Sequence, residues 1–139
     1  MLYTISYAAR AVGLRPSAIR YYEQIGILAP APRTGGQRRY DEVAIQRLAV
    51  IQRSRQLGFT LNEIRALFFD FPDGVPASPR WSELSRRKLE ELDRQMATIK
   101  ALQTLLQTQG KCACASLEEC GKYLLSSGTM IQDANRRCD

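Results

Sequence analysis

Three cysteines fall within nine positions of a 139-residue chain, in the stretch KCACASLEEC at residues 111–120. Cys112, Cys114 and Cys120 follow a C-x-C-x5-C spacing, with seven residues between the outer pair. Deprotonated thiols are soft donors, and at this separation they gather on one ion at little loop-entropy cost. The chain has no histidine, so any metal here is held by thiolates, carboxylates or backbone. Soft thiolates suit monovalent copper, zinc-group ions or iron–sulfur clusters. The residues therefore point to a metal site at Cys112, Cys114 and Cys120, with a soft metal ion, monovalent copper or zinc-group, as the cofactor. Two other readings stand beside it. One is a set of small buried hydrophobes under the end of a helix, which the charged neighbours Lys111, Glu118 and Glu119 suit poorly. The other is a thiolate, activated by Lys111 or a helix end, that is reversibly oxidised or alkylated.

The N-terminal stretch MLYTISYAAR has no basic n-region, no long apolar core and no small-residue cleavage site, and no apolar run is long enough to span a bilayer. The expected location is cytoplasmic, with no membrane partner, and thiols there stay reduced, which counts against a disulfide.

The charge has a position. Residues 1–60 hold nine arginines and no lysine against Glu23, Asp41 and Glu42, whereas residues 61–139 balance eleven basic against eleven acidic side chains. The whole excess of +6 sits in the front part. A basic surface that dense attracts polyanions, nucleic acid first among them. Its all-arginine make-up suits bidentate contact with phosphate and guanine better than a face kept for solubility.

The elements that position these groups are legible in the pattern. Ile5, Ala8, Ala9 and Val12 have helical spacing, and Gly13 breaks that helix. Pro16 and Ser17 start a second helix that stops at Gly26, and the pair reads as a helix-turn-helix. ILAPAPRTGGQRRY follows, where two prolines forbid a helix and Gly35-Gly36 permits a tight turn, so a β-hairpin wing is expected. Asp41 caps a helix to about Leu57, with Ala44, Leu48 and Ile51 inward, and Gly58 ends it. Thr60-Leu-Asn-Glu63 is a capping box for a helix to about Phe68. After a Pro/Gly-rich linker, a helix of about 45 Å carries Leu89, Leu92, Met96, Ile99 and Leu106 at 3–4–3–7 spacing, with Gln103 at the skipped position, an approximate coiled-coil seam. The expected organisation is a DNA-binding domain at 1–69, a linker at 70–79, a coiled-coil helix at 80–110, a cysteine loop with a short helix at 111–128 and a flexible tail at 129–139.

The stretches TISYAARAVGLRPSAIRYYEQIGIL, RTGGQRRY and IQRSRQLGFTLNEIRALF resemble, in order and nearly continuously over the first 70 residues, the MerR family of bacterial transcription regulators. The resemblance implies a mainly α fold: a winged helix-turn-helix DNA-binding domain, a long antiparallel coiled-coil dimerisation helix and a short cysteine-containing effector loop. It implies a homodimer joined through residues 80–110 that binds double-stranded promoter DNA. In the activated state such a dimer bends and untwists the duplex, so that RNA polymerase, an indirect partner, meets both promoter elements on one face. The deformation costs ~1–10 kcal/mol, recovered through contacts. Arg15, Ser17, Arg20 and Tyr21 would serve the major groove and its flanking phosphates. Arg33, Arg38, Arg39 and Tyr40 on the wing, with Arg55, would clamp the backbone, Arg20 and Arg39 carrying most. Tyr22 and Ile19 read as core, Tyr40 has a packing alternative, and Arg47 and Arg53 read equally as solvated surface.

Within the family, the divalent-metal sensors have a further cysteine at a place near Ser78; none precedes residue 112 here. The copper sensors have serine there and two loop cysteines spaced as Cys112 and Cys120 are, but no middle thiol. The redox-sensing branch binds a 2Fe–2S cluster through C-x2-C-x-C-x5-C. Its last three ligands match Cys112, Cys114 and Cys120, and its first falls on Gln109. A fourth ligand from Cys138 would need the tail to fold back across 18 residues. An organic effector with structural cysteines is a further reading, disfavoured because roughly 30 residues after the helix cannot alone enclose a pocket of ~300 Å³. No nucleophile elbow, phosphate loop or paired carboxylates suggest an enzyme, and the front-half charge argues against a purely structural dimer.

Overall fold

The structure, a computed structural model, describes residues 1–127; the expected tail at 129–139 and Cys138 lie outside them. Two compact units are present, Met1–Arg86 and a second that begins at Arg87.

The first unit starts with β1 (Tyr3–Thr4) and α1 (Ile5–Val12). Thr4 caps α1 by accepting the Tyr7 amide at 3.2 Å. Gly13 closes it at φ 69°, returning its N–H to Ala9 and Arg10, a left-handed conformation that glycine adopts without strain. In α2 (Pro16–Gln24) proline fills the first position, where a missing N–H costs nothing. Its inward side chains are Ile19 and Tyr22, as the residue types suggested. The hairpin of β2 (Arg33–Thr34) and β3 (Gln37–Tyr40) turns through Gly35 and Gly36, both at positive φ, as a two-residue turn that matches strand twist demands.

The sequence pattern held no sign of β1. It pairs antiparallel to β3 (Tyr3 opposite Tyr40, Thr4 opposite Arg39), which gives a three-stranded sheet in the order β1-β3-β2. The wing is thereby fastened to the start of α1.

Asp41 accepts the Ala44 amide at 2.8 Å to open α3 (Glu42–Gln56). Thr60 and Glu63 form the expected capping box, at 3.2 and 2.7 Å, for α4 (Leu61–Phe69). One core joins these helices: Ala8, Ile19, Ile27, Leu48, Ile51 and Ile64 are fully buried, and Leu84 joins them from the next helix.

That helix, α5, runs Ala77–Gln109 and begins inside the stretch expected to be linker. Pro79 lies in its first turn, where no intrahelical N–H bond is lost, so proline did not mark the boundary. Arg80 secures the junction. It donates to the carbonyls of Leu67, Phe68 and Val75 at 3.0–3.3 Å and lies over the Phe71 ring at 5.4 Å, capping α4 and holding the connecting segment together.

In the second unit, α5 presents Leu89, Leu92, Met96, Ile99, Leu102 and Leu106 as exposed side chains. α6 (Leu117–Ser127) follows the cysteine loop. No helix among the described residues is long and apolar enough to cross a membrane.

Candidate nucleic-acid interface and metal centre

Arg15, Ser17, Arg20 and Tyr21 are all exposed, on α2 or at its N-cap. Arg33 on β2 is exposed, and Arg38 and Arg39 on β3 are half-buried. Arg20 and Arg38 line one open cleft of about 400 Å³ with Thr4, Ser6 and Gln37. A duplex backbone would thus meet the helix and the wing together. Tyr21 and Arg55 line a second cleft of about 450 Å³ with Asn62 and Arg65. Arg55 also donates to the Phe59 carbonyl at 3.2 Å, which orients it.

Tyr40 does not belong in the contact set. Its side chain is 1% exposed and its hydroxyl donates to Glu23 at 2.9 Å. Burial, then the Glu23 hydrogen bond and charge, push the phenol well above its ordinary pKa, so it stays a donor. Strand alternation explains the correction: residues at odd spacing on β3 face opposite sides, and the Tyr40 side is the core side. Two residues were missed. Arg65 joins the second cleft and donates to the Ile25 carbonyl. Glu23 accepts from the wing at three points. Its one sequence signal was being the sole acidic residue before position 41.

We expect Arg20→Ala and Arg39→Ala each to weaken binding to the protein's own upstream region by about 1–3 kcal/mol. A gel shift at two salt concentrations checks it, and full retention of the shifted band counts against these contacts.

In the second unit the three thiols come together. The Sγ atoms of Cys112, Cys114 and Cys120 all lie within 4.8 Å of one another, each half-buried. The Cys112 thiol donates to Cys114 Sγ at 3.1 Å. Local chemistry builds this loop. Ser116 caps α6 by accepting the Glu119 amide at 3.1 Å, and the Glu119 carboxylate accepts the Ala115 amide at 2.8 Å. Cys120, in the first turn, is thereby set opposite the Cys112-x-Cys114 strand. Glu119 is engaged as a cap rather than offered as a ligand. The Gln109 amide donates to Cys120 Sγ at 3.7 Å, so the place of a fourth cluster ligand holds a carboxamide.

An ion bonded at ~2.3 Å to three thiolates needs them roughly 4 Å apart, within reach of this group. The donor set fits a soft ion. Among the described residues it falls one thiolate short of the four a 2Fe–2S cluster takes.

Two family models match the chain: "MerR HTH family regulatory protein" over residues 3–68 and "MerR, DNA binding" over residues 45–109. The HTH-type transcriptional regulator PA4778 of Pseudomonas aeruginosa is 40% identical, covering 74% of this chain and 79% of that protein. Heavy metal-dependent transcription regulator 2 of Rhizobium meliloti is 34% identical over 78% of this chain and 75% of its own length. The crystal structure of the regulator PbrR691 from Ralstonia metallidurans CH34, in complex with lead(II), superposes with a TM-score of 0.64 at 29% identity, covering 84% of this chain and 91% of that one.

Proposed function

The chain belongs to the MerR family of helix-turn-helix regulators, DNA-binding transcription regulators and not enzymes, and on that premise we propose that it is a homodimeric regulator that distorts promoter DNA when a soft metal ion occupies Cys112, Cys114 and Cys120. The observation that carries the effector reading is the grouping of three thiols within 4.8 Å in a chain without histidine. Similarity to a heavy-metal-dependent regulator and to a lead-bound one supports a metal over an organic effector.

The arginines of α2 and the wing bind the duplex; phosphate contacts set affinity and its salt dependence, base contacts set sequence. The exposed apolar side chains of α5 from Leu89 to Leu106 pair with a second copy. Ion binding draws the sulfurs together and reorders the loop between α5 and α6. That acts on the promoter only insofar as the ion binds one dimer conformation better than the other. RNA polymerase responds to the altered duplex.

Protein purified without oxygen is expected to be colourless. It should take up about one equivalent per chain of monovalent copper or a zinc-group ion, measured by elemental analysis and visible spectrum. A brown protein containing iron and sulfide would replace this reading with cluster-based redox sensing, while one that binds no soft ion leaves thiol oxidation.

A further inference from the structure

Glu23 sits in the last turn of α2, the helix assigned to the major groove, yet its carboxylate faces the wing. It accepts the Ala31 amide at 3.2 Å, where the chain enters the wing, and the Tyr40 hydroxyl at 2.9 Å, where β3 ends. It also pairs with Arg38 Nε at 2.9 Å, on β3 itself. The Glu23 side chain is only 7% exposed. A carboxylate so withdrawn from water is costly unless fully bonded, and its three donors here all come from the wing. Arg38 is meanwhile one wall of the cleft it shares with Arg20.

We propose that Glu23 is a positioning residue for DNA binding: it fixes the wing at a set distance from the recognition helix and holds Arg38 in the cleft beside Arg20, ready for a backbone phosphate. A long side chain ordered beforehand loses less rotamer freedom on binding. Two DNA-contacting elements locked to each other also engage one duplex without a further ordering step. Because the contact served is a phosphate, its effect is independent of sequence.

The test measures full-length protein on a random-sequence duplex by fluorescence anisotropy across a salt series, below the melting temperature of each variant. Glu23→Gln keeps the size and removes the charge. Affinity is expected to fall about tenfold, and the slope of log affinity against log salt to become shallower by about one, the signature of one lost phosphate contact. Adding Arg38→Ala to Glu23→Gln should cost little more, because both act through the same contact. Wild-type affinity and slope in folded Glu23→Gln, or full additivity in the double variant, would overturn the proposal. So would an affinity loss that tracks only the unfolded fraction. Should Glu23→Gln fail to fold, Arg38→Lys decides the matter. A lysine keeps the charge but meets either Glu23 or a phosphate, not both, so the slope should again fall by about one; a wild-type slope counts against the proposal.

Discussion

Serine in place of Cys112 or Cys120 is expected to abolish the response to a soft metal ion while leaving the metal-free protein's affinity for DNA within about twofold of wild type. Outer-shell partners of a metal are worth about 10–100-fold in affinity, so a ligand removed outright should cost more. The two effects separate because the thiols belong to the unit that begins at Arg87, whereas the arginines lie in Met1–Arg86. Cys114→Ser should weaken binding as well, since its sulfur lies within the same 4.8 Å group; serine cannot supply a soft donor. The sign of the pH dependence follows from the donors. Thiols must lose protons to bind, so affinity rises with pH. Anaerobic competition titration against a chelator measures the first effect, and gel shifts with and without the ion measure the second. Wild-type ion affinity in Cys112→Ser would place the metal elsewhere.

Glutamate at both Leu92 and Ile99 should convert the dimer into a monomer. Both side chains are exposed in the single chain, at 42% and 57%, and both lie on the α5 stripe. Burying an apolar side chain of this size contributes ~1.5–3 kcal/mol. A symmetric interface counts each substitution twice. Replacing that gain with a buried, unpaired charge raises the dimer dissociation constant by at least about a thousandfold. The core of Met1–Arg86 uses neither residue, so helicity and the fold of the DNA-binding unit should survive. Promoter affinity should fall, because two half-site contacts no longer reinforce each other. Sedimentation velocity reads the association state; a variant that sediments as the wild type does would exclude this face as the dimer seam.

What the sequence settled by itself was local. Asp41, the Thr60–Glu63 capping box, Pro16 and Gly13 act within one helical turn, and the glycine pair at 35–36 within one hairpin. Their residue types alone bounded α1 to α4 and the wing. The cysteine group was equally legible, since thiols two and six positions apart have little freedom to separate. The start of α5 at Ala77 was not, because a proline in a first turn leaves the same trace as one in a linker. Nor was the strand β1, two residues long and too short to show a period, which exists because β3 offers it an edge. The burial of Tyr40 and the reach of Glu23 to Ala31, Arg38 and Tyr40 depend on chain segments 8 to 17 positions apart meeting across a turn. Short-range pattern carries no record of such meetings. Only the packing of α1, α2 and the sheet on one core decides which side of β3 turns inward, and with it which wing residues bind DNA and which hold the wing in place.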